Sequence, residues 1–254
     1  MPWNPAQYLA FGDLRLRPAV DLLARVPLEN PASVLDLGCG PGNVTRILQQ
    51  RWPQARVTGV DSSAEMLARA SADYPDIAWH QANLAGWEPP AGTDLIYSNA
   101  ALHWLDDHPR LFSRLLASLA PGGVLAVQMP NNYAAPSHQC AYEAARDGPW
   151  RTVLEPLLRP APLLTVEAYH DLLAGQARRV EIWQADYLQV MEGENPVADW
   201  TRGSVLVPLL EALVEPWRGA FEDDYRRRVA AAYPRRPNGK TLFPFRRLFM
   251  VAVR

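Results

Sequence analysis

The chain has 254 residues, 48% of them hydrophobic, a formal charge of −2 and two cysteines, Cys39 and Cys140. That balance supports a sizeable core and excludes a disordered chain or a disulfide framework, and the near-neutral charge gives polyanions no global attraction, so nucleic acid is not an expected partner. The opening Met-Pro-Trp-Asn-Pro has no basic segment ahead of an apolar run, and no stretch nears the roughly 20 apolar residues that span a bilayer, so no secretory signal or membrane contact is expected and the expected location is the cytoplasm.

Apolar residues at helical spacing (Leu14, Val20, Leu22, Leu23, Val26) predict a helix over 14–26. Ala32–Leu37 reads as a strand, Gly38–Gly42 as a loop, and the run through Ile47 and Leu48 to Trp52 as a helix stopped by Pro53. Ala55–Val60 is the second strand, and Ser62–Ala70 a helix with Ser62 or Ser63 as its cap. Ile77–His80 and Asp94–Asn99 are strands three and four. His108–Leu119 is a helix, Pro121-Gly122-Gly123 a turn and Val124–Met129 a fifth strand, apolar almost throughout. Alternating β and α segments predict a parallel sheet covered by helices on both faces. Beyond Met129 the pattern turns to proline-rich helical pieces over 131–176, a strand at Val180–Val190, helices over Pro196–Tyr233 and a last strand at Leu242–Val253. The expected organisation is a single domain over 1–254, with an N-terminal helical lid over 1–30 and helical cap insertions at 131–176 and 192–238.

The chemistry-bearing motif is Val34-Leu35-Asp36-Leu37-Gly38-Cys39-Gly40-Pro41-Gly42. Glycines between a strand and a helix let the backbone turn sharply and approach a ligand at the carboxyl end of a sheet. A dinucleotide fingerprint would carry a third glycine where Asn43 stands; here an acid precedes the first glycine by two positions and glycine recurs at every second position. This resembles motif I of class I methyltransferases, and the resemblance implies that S-adenosyl-L-methionine is bound and S-adenosyl-L-homocysteine is the product. Asp61 ends the second strand 19 residues after Gly42, where a carboxylate can accept both ribose hydroxyls. Asn83-Leu84 follows the third strand, where the family meets the adenine, and Ser98-Asn99-Ala100 ends the fourth beside the methionine end of the cofactor. The cofactor-binding set is thus Asp36, Gly38, Gly40, Asp61, Ser62, Met66, Asn83, Leu84 and Asn99.

The acceptor is narrowed by what is missing. A base-methylating enzyme usually holds its flipped base with a Pro-Pro-aromatic segment after the fourth strand, where this chain reads Ser98-Asn99-Ala100-Ala101. No carboxylate cluster follows strands four and five, so no metal is expected. Trp3-Asn4-Pro5, Tyr8-Leu9, Arg17-Pro18-Ala19, Leu22 through Glu29, Asp36 through Asn43, Asn99-Ala100 with Trp104, Gly123 through Pro130 and Arg247-Leu248-Phe249 are similar, nearly end to end, to the trans-aconitate 2-methyltransferase family. The resemblance implies a Rossmann-like sheet, mostly parallel with an antiparallel last strand, flanked by helices. It also implies esterification of a small polycarboxylic acid. A carboxylic acid with a pKa near 4 is already ionised at pH 7, so no general base is expected. The protein must instead hold the other charges of the acid, and the substrate-binding candidates are Tyr8, His103, Trp104, Asn131 and Arg247.

One departure concerns specificity: where the family tends to show Thr-Gly-Leu-Arg-Pro, this chain has Ser204-Val205-Leu206-Val207-Pro208. The missing arginine implies one fewer partner for a substrate carboxylate. His138 and His170 read as ordinary polar positions, and Arg226-Arg227-Arg228 as a solvated helix face or, for a carrier-protein-bound acyl substrate, a docking patch. A quinone precursor as acceptor, or a cofactor sensor without catalysis, would fit the same glycine loop. Oligomeric state is not legible.

Overall fold

The computed structural model describes residues 16–158 and 163–254. The start of the expected N-terminal lid, with Tyr8, lies outside the described residues. In chain order the elements are α1 (Arg17–Leu23), β1 (Ser33–Leu37), α2 (Asn43–Arg51), β2 (Arg56–Asp61), α3 (Ala64–Asp73), β3 (Ala78–Gln81), β4 (Thr93–Asn99), a 3-10 turn (Leu102–Trp104), α4 (His108–Ser118) and β5 (Leu119–Pro130). They continue with α5 (Pro136–Asp147), α6 (Arg151–Leu154), a second 3-10 turn (Glu155–Leu157), α7 (Val166–Ala174), β6 (Arg179–Met191), α8 (Pro196–Arg202), α9 (Val207–Glu211), α10 (Trp217–Ala232) and β7 (Thr241–Val253). The chain divides into two compact units: the described residues of Met1–Pro130, Pro162–Gln184 and Arg247–Arg254 form one, and those of Asn131–Ala161 and Ala185–Arg246 the other.

The strand order is β3-β2-β1-β4-β5-β7-β6. The pairs β1–β2, β1–β4, β2–β3 and β4–β5 are parallel, and β7 runs antiparallel to β5, as the resemblance implied. The direction of winding reverses between β1 and β4, and ligands of open α/β sheets bind at the carboxyl ends of the strands flanking such a switch. The glycine loop leaves β1 there, and Asn99 ends β4 beside it.

Local chemistry sets the ends of these elements. Ser63 rather than Ser62 caps α3, its hydroxyl accepting from the Met66 amide at 3.2 Å. Asp107 caps α4 by accepting from the Arg110 amide, with a proline in the first turn where its missing N–H is harmless. The turn expected at Pro121–Gly123 is absorbed into β5, which begins at Leu119, and the pairing with β4 shifts register between Thr93 and Leu95. Between Thr93↔Leu119 and Leu95↔Val124, β4 advances two residues and β5 five, so β5 takes up three extra residues without ending the ladder.

The core of the first unit gathers Leu35, Leu37, Ile96, Leu125, Val127 and Met129 from the strands with Leu111, Phe112 and Leu115 of α4 and Tyr169 and Leu173 of α7. α4 keeps these apolar positions on one stripe, which is why a sequence spacing of three and four reads as a helix laid on a sheet. The second unit, taken by itself, packs α5, α8 and α10 around Trp150, Phe221, Tyr225 and Phe243. The rings of Trp150 and Phe221 meet edge to face at 5.6 Å, a geometry favoured by the aromatic quadrupole. Thr201 Oγ1 and Tyr225 OH lie 2.6 Å apart, so this core buries its hydroxyls as a pair. Val207, at the start of α9 in this unit, is 37% exposed.

Candidate cofactor and acceptor site

The glycine loop is held by the end of the neighbouring strand. The amides of Gly38 and Cys39 both donate to the Val60 carbonyl, at 2.8 and 3.1 Å. The Gly40 amide donates to Asp61 Oδ2 at 2.8 Å, and the Ser63 amide to Asp61 Oδ1 at 2.9 Å. Each carboxylate oxygen of Asp61 therefore carries one protein hydrogen bond, and since each offers about two lone-pair sites it keeps an acceptor position.

Two glycines in the loop serve different needs. Gly38 has φ +71° and sits so close to the segment after β4 that a Cβ there would fall 2.1 Å from the Ala101 Cβ. Gly40 has φ +53°, yet a Cβ built on it meets no described atom within 4 Å. Packing explains the first glycine, whereas the second combines left-handed backbone with a face open to a ligand.

Asp36 is buried and accepts from Thr45 Oγ1 at 2.6 Å, tying β1 to α2. Burial pushes its carboxyl up to about 7, the Thr45 hydrogen bond pulls the other way, and the Asp61 charge adds to the rise. Cys39 is buried, and its thiol is pushed up by burial and by the charges of Asp36 and Asp61, so it has no thiolate character. Beyond β2, the Ser62 carbonyl accepts from Gln81 Nε2 and Met66 is 42% exposed on α3. Asn83 uses its side-chain oxygen locally, accepting from the Ala85 amide at 3.0 Å, and Leu84 is buried with its carbonyl on Arg114.

At the ends of β4 and β5 the first unit collects polar side chains. Asn99 and Gln128 are register partners across the parallel pair, and Phe249 faces Gln128 from β7, with Arg247 opposite Pro130. The two-residue period puts Asn99, Gln128 and Arg247 on one face of the sheet. Arg247 is 8% exposed and donates from Nη1 to Gln128 Oε1 at 3.3 Å. Asn99 Oδ1, Gln128 Nε2 and His103 Nδ1 are buried with no hydrogen-bond partner among the described residues. Ala100, next after Asn99, holds φ +56° without being glycine, and its amide donates to the Gln128 carbonyl at 2.9 Å. Such backbone strain collects where a site needs a fixed geometry.

His103 and Trp104 form the 3-10 turn that follows, their rings 4.7 Å apart, with His103 buried and Trp104 72% exposed. Burial, then the Arg247 charge and His108, lower the His103 imidazole to about 4, so it is neutral at physiological pH. The turn is anchored from below: His108 Nε2 lies 3.0 Å from the Leu102 carbonyl, and its Nδ1 meets the Tyr169 hydroxyl. A carbonyl only accepts, so Nε2 carries the proton and Nδ1 accepts from Tyr169.

Of the acceptor-side residues expected from the sequence, His103, Trp104 and Arg247 belong to the first unit. Asn131 belongs to the second, where its amide donates to the Arg246 carbonyl at 2.9 Å. Gln128, His108 and Tyr169 were not singled out by sequence reasoning; a glutamine inside an otherwise apolar strand was the available signal for the first. The arginine run on α10 is paired: Arg226 with Asp199 at 2.6 Å, Arg227 with Asp224 at 2.6 Å, and Arg228 with Asp224 and Asp147. Carboxylates thus neutralise the patch that an acidic carrier protein would use. Among the described residues no group of three His, Cys, Asp or Glu side chains is placed to hold a metal ion, and no helix is long and apolar enough to cross a membrane.

Comparison with known proteins gives this geometry a family. A methyltransferase domain model matches residues 8–184. The trans-aconitate 2-methyltransferase of Azoarcus sp. (strain BH72) is 53% identical over 252 residues, covering 99% of each chain, and that of Rhodopseudomonas palustris (strain BisB18) is 46% identical over 253 residues, again covering 99% of each. A solved S-adenosylmethionine-dependent methyltransferase from Mesorhizobium loti shares the fold at a TM-score of 0.51 and 23% identity, covering 97% of this chain and all of that one. The chain belongs to the trans-aconitate 2-methyltransferase family of methyltransferases.

Proposed function

We propose that the protein is a cytoplasmic, S-adenosylmethionine-dependent carboxyl methyltransferase that forms a monomethyl ester of trans-aconitate; its relatives are named trans-aconitate 2-methyltransferases. The observation that carries the reading is the buried Arg247 at the carboxyl edge of the parallel sheet, on the face shared with Gln128 and Asn99. A buried cation there suits a polyanionic acceptor. The inserted segments of the second unit are read as parts of one methyltransferase domain rather than as a separate enzyme.

The residues present fit the cofactor. Asp61 keeps acceptor positions for two ribose hydroxyls, Gly40 offers its open face, and the unpartnered Asn99 Oδ1 suits the ammonium of the methionine portion. Asp36 and Gly38 hold the loop in shape, while Ser62, Met66, Asn83 and Leu84 border the adenosine side. When bound there, S-adenosylmethionine would supply an electrophilic methyl group for a carboxylate oxygen, with S-adenosylhomocysteine as the leaving group.

The protein's own work is positioning. An ionised carboxylate needs no base, and His103, held neutral, offers one N–H and one acceptor nitrogen but no charge. Arg247 takes a carboxylate that does not react, which turns the acid so that another faces the methyl donor. Trp104, exposed beside His103, contributes an apolar wall, and Tyr8 and Asn131 remain acceptor-side candidates. The test is incubation of the full chain with S-adenosylmethionine and trans-aconitate, with mass spectrometry of the acid. The expected product has gained one methyl group and loses it on alkaline hydrolysis. Cofactor binding with no methylated acid, across trans-aconitate and saturated di- and tricarboxylates, would refute the reading.

A further inference from the structure

We infer that Gln128 determines acceptor specificity: its side-chain carbonyl orients Arg247, and its amide nitrogen donates to a second, non-reacting carboxylate of the acid. The inference rests on the carboxyl-methylation reading above.

Gln128 stands in the middle of a buried, otherwise apolar strand end, with 0% of its surface exposed. Its backbone carbonyl holds the strained Ala100 through a 2.9 Å hydrogen bond, and its side chain reaches the opposite neighbour, Arg247, at 3.3 Å. One residue therefore links the exit of β4 to the start of the antiparallel segment of β7. The orientation of the amide follows from its partner. A guanidinium has only donors, so the atom facing Arg247 is the carbonyl oxygen and Nε2 points away.

Nε2 then has no partner among the described residues, and neither has Asn99 Oδ1 on the strand paired with it. A buried donor and a buried acceptor on register partners would satisfy each other if nothing else were to be met. They do not, so each is left for ligand: the acceptor for a cationic group, the donor for an anionic one. The side-chain type matters as much as the contact. A carboxylate at this position would accept from Arg247 but have no N–H for the acid and would repel it, whereas an amide accepts from the guanidinium and still donates.

The experiment compares Gln128→Leu, which keeps the volume, and Gln128→Glu, which adds charge. Each is tested for kcat/KM with trans-aconitate and with trans-aconitate whose distal carboxylate is converted to an amide, and for calorimetric affinity for S-adenosylhomocysteine and for trans-aconitate with S-adenosylhomocysteine present. Gln128→Leu is expected to lower kcat/KM and affinity for trans-aconitate roughly 10- to 100-fold, the range for one hydrogen bond to a charged group. Gln128→Glu is expected to lower them further. Both should act far less on the amide and leave S-adenosylhomocysteine affinity intact. Equal losses for both acids, no loss for either, or loss of cofactor affinity in step would overturn the assignment. If wild-type protein methylates no acid, the function above falls, and the binding comparison still decides Gln128. Wild type binding trans-aconitate no better than Gln128→Leu would refute it.

Discussion

Replacing Gly40 by alanine separates ligand contact from folding. The left-handed backbone at φ +53° costs a non-glycine residue roughly 1–2 kcal/mol, partly offset by about 0.4–1 kcal/mol from the stiffer unfolded chain. No described atom lies within 4 Å of the added methyl, and the Gly40 amide keeps its bond to Asp61, so the net loss of stability should be about 1 kcal/mol. The same change at Gly38 adds a clash with the Ala101 Cβ at 2.1 Å. Overpacking of about 1–3 kcal/mol then joins the same net strain of about 1 kcal/mol, for a total of roughly 2–4 kcal/mol. Urea unfolding reads the stability of each variant, and calorimetry reads S-adenosylhomocysteine affinity. The expected result is a mildly destabilised Gly40→Ala protein that has lost at least about tenfold in affinity, beside a Gly38→Ala protein with a much larger loss of stability. Gly40→Ala binding S-adenosylhomocysteine like wild type would refute the assignment of that face to the cofactor.

Asp61→Ala removes the acceptor for two backbone amides and the one proposed for the ribose, and S-adenosylhomocysteine affinity should fall by about 1.5–3 kcal/mol by calorimetry, as for hydrogen bonds to a charged group. Arg247→Ala should lower kcat/KM for trans-aconitate by roughly 2–4 kcal/mol while sparing cofactor affinity, because a desolvated carboxylate loses its partner. The initial rate with trans-aconitate at saturation should be flat from about pH 6 to 8.5, since the acid is already ionised and His103 stays neutral; a rise tracking one histidine, abolished in His103→Gln, would contradict the mechanism. Stability carries the opposite signature: the folded His103 sits at about 4, below the ordinary 6.5, so the unfolded chain binds more protons between these values. His103 should therefore withdraw its contribution as pH falls from 6.5 toward 4, a loss that thermal melts of His103→Gln should show diminished.

The glycine loop and its support were legible because their signals are local. The glycine spacing, the acid two residues ahead and Asp61 at the next strand end lie within one βαβ unit, and the alternation of apolar runs with turn residues marks each strand. What escaped the sequence depends on long-range pairing. Gln128 acquires meaning only when β7 brings Arg247 beside it, 119 residues away, and the His108–Tyr169 contact that anchors the 3-10 turn spans 61. Pro121-Gly122-Gly123 is a turn signal by composition, yet pairing to β4 carries the strand through it. Asn83, proposed from its place after β3 to border the adenosine, uses its side-chain oxygen in a local Asx turn. The division into two units likewise rests on distant contacts, such as the Arg246 amide on Asn132 Oδ1 at 2.7 Å, 114 residues apart.

The most direct test of the central claim is a crystal structure of the protein with S-adenosylhomocysteine and trans-aconitate bound together. Both ribose hydroxyls are expected on Asp61, and a non-reacting carboxylate of the acid within hydrogen-bond reach of Arg247 and Gln128 Nε2, with another carboxylate directed at the sulfur. An acid bound away from Arg247, or a ribose that does not touch Asp61, would contradict that claim.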